Sequence, residues 1–369
     1  MAKKFILIFS VVAFCFSFSG CTSARQINEM AYVVGVGIDK GESEKILLSL
    51  QFAKPFVIAK SGEEGSGGDK EEKKDKSTSL ATAEGADIFS AIKKIEGTLS
   101  KQINLTHTKI LVFSKEISQD GISDYASTLM ANNQFRPNTF VAMSSGKATE
   151  YFEEEKPALE NNPAKYYTMM FSKDTKSSLP AVSLRDLYFS VSFSEREAVL
   201  PVLGGSVNEA MAVFRGDKLS FLMNDKDAEI YNILSGDFKE GYIVVSKEDG
   251  DYSVRLKQKC KPKICVKTDG EEIKAEIKLK ASVKRADFGA GKEKGDIKGE
   301  AKAEILKRTE NFLTKTYGEG LDVLGISRFA KKNFLSQNKW EDFGFFQKLN
   351  GIQIEMSADV KEENGGLIK

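Results

Sequence analysis

Ile273-Lys274-Ala275-Glu276-Ile277-Lys278-Leu279-Lys280-Ala281-Ser282-Val283 alternates an apolar side chain with a polar one from end to end. Successive side chains of an extended chain point to opposite faces, so this pattern predicts a strand with one face in a core and the other in water. Downstream, Ile305, Leu306, Phe312 and Leu313 stripe a helix expected from about Gly299 to Tyr317. Ile352, Ile354, Met356, Ala358 and Val360 then alternate with Gln353, Glu355, Ser357 and Asp359 in a closing strand. A helix laid on one face of a largely antiparallel sheet is an α+β domain. The charged face of that helix, over Glu304–Lys315, is read as solvated.

Moving toward the amino terminus, Ala212–Phe214 and Leu219–Leu222 flank Gly216-Asp217, a hairpin signal. Asp227–Leu234 forms a short helix closed by Gly236. In the first half, Tyr32–Asp39 and Ile46–Phe52 predict two strands joined by a turn. Ile88, Ile92, Ile95 and Leu99 fall on one helical stripe, and Ile122, Tyr125 and Leu129 on another. Strands are expected at Ile110–Phe113 and Phe140–Met143. The fold class is therefore α+β and multi-domain, with mostly antiparallel sheets each covered by helices. The expected boundaries are a signal peptide over 1–20, an N-terminal α+β region over 21–200 and a C-terminal α+β domain over 201–365. Ser61–Ser77 has no apolar side chain, which predicts a disordered insertion. The pattern dissolves over 150–178, around Asn161-Asn162-Pro163, which predicts a mobile connection.

The first residues read Lys3-Lys4, an apolar run from Phe5 to Phe18, then Ser19-Gly20-Cys21. A positive start, a short apolar run and a small-residue cleavage site are the parts of a secretory signal. The run is shorter than the ~20 residues that cross a bilayer. A cysteine directly after small residues marks a lipobox, so Cys21 is the expected lipidation site, its sulfur carrying diacylglycerol. Two or three acyl chains hold a protein firmly where one does not. The body is thus expected on the extracytoplasmic face of a bacterial-type membrane. A net charge of +1 with 29% charged residues gives no field for steering nucleic acid, and no nucleic-acid partner is expected.

After cleavage and lipidation only Cys260 and Cys265 remain of the four cysteines. Lys261-Pro262-Lys263-Ile264 between them reads as a turn that would bring flanking strands and the two sulfurs together, so the pair is a candidate disulfide. Zinc would need two more ligands, and the chain offers a single histidine, His107. His107 precedes an apolar strand and reads as a structural side chain, and no Gly-x-Ser-x-Gly elbow accompanies it. Gly35 and Gly37 are followed by Ile38-Asp39 and a second strand, which favours close strand packing or a bulge over a dinucleotide fingerprint. Trp340, with Phe343, Phe345 and Phe346, reads as core; if exposed, it becomes the candidate partner contact. No catalytic, metal-ligating or cofactor-binding residue is assigned beyond the covalent lipid on Cys21, and the chain is read as non-enzymatic.

Several stretches follow one another along the chain. They are Arg25-Gln26-Ile27-Asn28-Glu29-Met30 after Cys21, Val34-Gly35-Val36-Gly37-Ile38-Asp39-Lys40, Ala83-Glu84-Gly85-Ala86-Asp87-Ile88, Thr106-His107-Thr108-Lys109-Ile110-Leu111-Val112, Leu200-Pro201-Val202, Ala212–Leu219, Asp322-Val323-Leu324-Gly325 and Trp340. Together they resemble the C-subunit lipoproteins of spore germinant receptors, the Ger(x)C family. The chain departs from that pattern at Thr22-Ser23, where members often carry Trp-Asp, and in its Ser61–Ser77 insertion. The resemblance implies a complex with A and B receptor subunits, B being a multi-pass membrane protein. It also implies location at the spore inner membrane, a part in nutrient-triggered germination and no catalytic centre. The competing reading is a lipid-anchored solute-binding protein of a transporter, for which two doubly wound lobes around a cleft would be expected.

Overall fold

The computed structural model describes residues 29–54, 77–154, 162–171, 180–193, 196–205, 209–246, 250–286 and 296–363. Cys21 and nearly all of the Ser61–Ser77 insertion lie outside them. Among the described residues no helix is long and apolar enough to cross a membrane.

The first sheet contains β1 (Met30–Lys40), β2 (Ile46–Ala53), β3 (Thr78–Gly85), β4 (Gln102–Asn104), β5 (Ile110–Phe113), β6 (Phe140–Ser144), β7 (Val199–Leu203), β8 (Met211–Arg215) and β9 (Lys218–Met223). Their order is β3-β2-β1-β5-β6-β7-β8-β9, with β4 beside β1. The centre, β1 with β4 and β5 and then β5-β6-β7, is parallel, and the flanks are antiparallel. β5 shows why that centre does not alternate in sequence. Ile110 and Val112 pack under α4 (Ala148–Glu154) and α5 (Pro163–Met170), whereas Leu111 and Phe113 pack under α1 (Ile88–Thr98), α2 (Lys115–Asp120) and α3 (Ser123–Ala131). A strand covered on both faces is apolar throughout.

Local chemistry places the helix starts. Asp87 accepts a hydrogen bond from the Ser90 amide at 2.8 Å while the Ser90 hydroxyl accepts one from the Asp87 amide at 3.0 Å, a reciprocal cap on α1. The stretch expected to be a mobile connection contains α4 from its first turn onward, and then α5. Asn162-Pro163, read as a break, is a start signal: Asn162 Oδ1 accepts from the Ala164 and Lys165 amides, and Pro163 occupies the first helical turn. α6 (Leu184–Phe193) follows.

The second sheet is β10 (Glu240–Val245), β11 (Tyr252–Gln258), β12 (Lys263–Asp269), β13 (Glu272–Arg285) and β14 (Gln353–Glu362). As the alternation requires, Ile273, Ala275, Ile277, Leu279, Ala281 and Val283 are buried, while Lys274, Lys278 and Lys280 are exposed. β12 and then β11 lie antiparallel along one edge of β13, and β14 lies parallel along the other, so the sheet is not purely antiparallel. A parallel neighbour needs a crossover, which runs through α8 (Ile297–Gly318), α9 (Ile326–Lys331), α10 (Gln337–Phe343) and a 3-10 turn at Phe345–Gly351. The charged face of α8 is not simply solvated. Arg308, 15% exposed, holds Glu304 at 2.6 Å and Glu229 of α7 (Asp225–Ser235) at 3.1 Å, and donates to the Val244 carbonyl of β10.

The two halves share a wall. On β8, Met211 and Val213 face the core built from α7, the second sheet and α8, while Ala212 and Phe214 face the core of the first sheet. The strand order therefore carries the first sheet to Met223, past the expected division at 200/201. Because one strand seals both cores, the halves should unfold together. Phe214→Ala should remove about 3–5 kcal/mol from the first core. It should shift the urea midpoint of Trp340 fluorescence, a reporter in the other half, as far as that of the far-ultraviolet dichroism; separate midpoints would contradict a shared wall.

Candidate functional site

Gly35, Gly37 and Asp39 alternate along β1 and so share the face beneath α4. A Cβ built on Gly35 would stand 2.6 Å from Phe152 Cε1, and one on Gly37 3.1 Å from Ala148 Cβ. The pairing with β2 also slips between Val33 and Gly35. Both elements of the close-packing reading, a bulge and a close approach, are present. Asp39, 1% exposed, caps the helix so admitted: it accepts from the Ala148 amide at 2.6 Å, the Thr149 amide at 2.9 Å and the Thr149 hydroxyl at 2.7 Å. A carboxylate at a helix start satisfies orphan amides and meets the positive end of the dipole.

Asp322 repeats the device in the other half. It is fully buried and accepts from the Ile326 amide at 2.7 Å, the Ser327 amide at 2.8 Å and the Tyr317 hydroxyl at 2.9 Å. Burial, with the Asp322 charge adding to it, holds the Tyr317 phenol well above its ordinary range. Gly325, at φ 66°, turns the chain into α9. Glu197 connects this loop to the shared wall: its amide donates to the Asp322 carbonyl at 3.2 Å and its carboxylate accepts from the Gly216 amide at 3.0 Å. Burial raises the Glu197 pKa, the Gly216 amide opposes the rise and the Asp322 charge adds to it.

The two motif carboxylates are thus committed to caps. Asp39→Asn and Asp322→Asn should each cost about 1–3 kcal/mol by chemical denaturation, since each leaves buried amides poorly matched. Gly35→Val should cost about 1–3 kcal/mol through overpacking, and Phe152→Ala in the same chain should recover part of it. A raised native pKa on a carboxyl means that the native state binds more protons there, so its contribution to stability falls as pH rises through the shift. Glu197→Gln should therefore stabilise the chain at neutral pH and lose that advantage below the ordinary glutamate range, as read from melting temperature against pH.

The structure does not bring the cysteines together. β11 and β12 do not fold back as a hairpin; they run in line along one edge of β13, with the Lys259 amide on the Lys280 carbonyl and Cys265 opposite Glu276. Lys259, the residue before Cys260, thus faces Lys280 while Cys265 faces Glu276, and at ~3.3 Å per strand residue that stretch of β13 sets Lys259 and Cys265 about 13 Å apart. A disulfide needs about 7 Å or less. Both thiols are free and exposed, and thiol titration of the folded chain without reductant should find both reactive.

Trp340 is half-buried against the second core, stacked on Phe345 with 5.2 Å between centroids and edge-on to Phe334 at 5.4 Å. It serves chiefly as packing; Leu335, next to Phe334 in the chain, is 93% exposed. His107 lies in the turn before β5 with its ring edge-on to Tyr32 at 5.1 Å. Its proton affinity is lowered by partial burial and then by the charges of Arg136 and Lys109. A concavity of about 350 Å³ beside Lys40, Asp120, Tyr125 and Asp217 is crossed by ion pairs from Lys40 to Glu116 and Asp120. Among the described residues no group of three or more His, Cys, Asp or Glu is placed to hold a metal. Sequence reasoning missed Asp39 and Asp322 as caps, Arg308 as an inter-element clamp, and the aromatic group on α6 of exposed Phe189 and Phe193 with half-buried Tyr188. In α6, three aromatics at helical spacing were the available signal.

The class defined is a mixed-sheet α+β protein of two halves sealed by a common strand, with its motif carboxylates used for structure. Residues 23–204 match the spore germination protein N-terminal domain, and residues 209–366 match the spore germination B3/GerAC-like C-terminal domain. The chain belongs to this spore germination family. Spore germination protein GerQC of Bacillus cereus is 19% identical over 303 residues, covering 79% of this chain and 83% of its own length. YfkR and spore germination protein KC of Bacillus subtilis (strain 168) are 28% and 25% identical over 150 residues, or 41% and 40% of this chain. Those two matches span only 38% and 36% of the relatives' lengths. The crystal structure of the GerBC protein superposes with a TM-score of 0.54 at 10% identity, covering 89% of this chain and 97% of that one, a likeness of fold.

Proposed function

We propose that this chain is a non-enzymatic, lipid-anchored subunit of a nutrient germinant receptor complex, required for spore germination. Acyl chains on Cys21 tether it to the outer face of the spore inner membrane, where it assembles with A-type and B-type subunits. The observation that carries this reading is that both domains of the family are matched, in order, over 23–204 and 209–366. The amino-terminal sequence supports the anchor: a short apolar run closes on Ser19-Gly20-Cys21. The solute-binding alternative is not favoured. A binding protein closes two separable lobes over a cleft, whereas here β8 is buried on both faces between the halves.

Cys21→Ala should move the protein from the membrane to the soluble fraction and impair nutrient-triggered germination, while leaving germination by agents that bypass nutrient receptors unchanged. Unaltered fractionation would remove the anchor from the account. Detergent extraction of spores and capture of this chain should co-purify a multi-pass membrane protein; its absence would remove the complex.

A further inference from the structure

We propose that the end of the first sheet where β1 begins is a basic face that lies on anionic phospholipid headgroups once the chain is tethered. This rests on the Cys21 anchor and adds an orientation to it. Parallel strands bring their amino ends to one side, and the hydrogen bonds fix which residues gather there. Gln102 pairs with Met30, the Lys109 amide donates to the Val34 carbonyl, and the Phe140 amide donates to the Lys109 carbonyl. The Thr139 amide donates to the Arg136 carbonyl and the Arg185 amide to the Pro137 carbonyl. Lys101, Lys109, Arg136 and Arg185 therefore share this end, and all but the half-buried Lys109 are exposed. His107 lies among them, close enough to Arg136 and Lys109 to feel both charges.

The contrast with the rest of the sheet gives the cluster meaning. At the opposite end Lys40 pairs with Glu116 and Asp120, and Lys115 pairs with Glu209. Among the described residues no carboxylate pairs with Lys101, Lys109 or Arg136; Arg185 approaches Asp186 at 4.0 Å. Among the described residues three acids stand nearby, Asp186 and the exposed Glu29 and Glu96, and Glu96 is engaged by the Ile103 amide at 3.2 Å. Cys21 precedes Met30 by a stretch that reaches at most about 30 Å fully extended. The anchor thus holds this end, rather than the ion-paired one, nearest the lipid. The field of an anionic leaflet decays over about 8–10 Å, so contact needs this proximity. Each basic side chain brought to the surface contributes about fivefold to association.

The test uses the full lipoprotein in vesicles of phosphatidylcholine alone or with phosphatidylglycerol, read by amide hydrogen exchange. Segments 102–109 and 132–137 should be protected in the anionic vesicles only. Lys101→Glu with Arg136→Glu, shown to fold by circular dichroism, should abolish the protection while partition into both vesicles persists. The unacylated Cys21→Ala chain should sediment with anionic vesicles at low salt, and at least tenfold less at about 0.5 M salt, where screening is nearly complete. Failure of the lipoprotein to enter either vesicle would overturn the anchor. Entry into both without charge-dependent protection would overturn the basic face and leave the anchor standing. If the double variant keeps its protection but no longer co-purifies a membrane protein, the face is a protein contact and the proposal falls.

Discussion

The architecture depends on a strand that is buried twice. β8 gives Ala212 and Phe214 to one core and Met211 and Val213 to the other, with every one of these side chains fully buried. A strand in that position cannot tolerate a register slip, because a shift of one residue would exchange the sets facing each core. It also makes the two family domains, whose matched boundaries fall between β7 and β8, physically continuous. The Gly216-Asp217 turn, the Glu197 carboxylate and the Asp322 loop then gather at one end of the seam.

Around that seam, both halves solve the same problem in the same way. A helix must lie tightly on a sheet, and the amides at its start need acceptors where water is excluded. Asp39 reaches α4 across the sheet, and Asp322 reaches α9 from the preceding loop. A buried carboxylate with three donors is well compensated, whereas one with none would cost several kcal/mol. The residues that make this sequence resemble its relatives are, at these positions, residues of architecture.

Much of this was legible in the residues. The β13 alternation, the Ile88–Leu99 stripe, the Gly236 stop and the Gly35/Gly37 packing each follow from local chemistry that the structure repeats. Strand direction was not legible: Ile110–Phe113 is apolar throughout, and such a run says nothing about whether its neighbours are parallel. β3 went unread because Thr78–Gly85 is small and polar, a strand only through its pairing with β2. Asn162-Pro163 signals either a break or a helix start, and only the burial of Tyr167 decides. The cysteines failed for a tertiary reason. A short Pro-containing link between strands reads as a hairpin, whereas here β13 is long enough to hold both strands end to end.

The shared strand has a consequence for biogenesis. A polypeptide is made amino end first, yet the first sheet lacks its last two strands until Met223 has been delivered, and β13 lacks its parallel neighbour until Glu362 follows. The first core cannot close before Met223, nor the second before Glu362. Folding is therefore completed only when nearly the whole chain has been made, and the unfinished edge of β7 and the uncovered apolar faces need shielding from neighbouring molecules until their partners arrive.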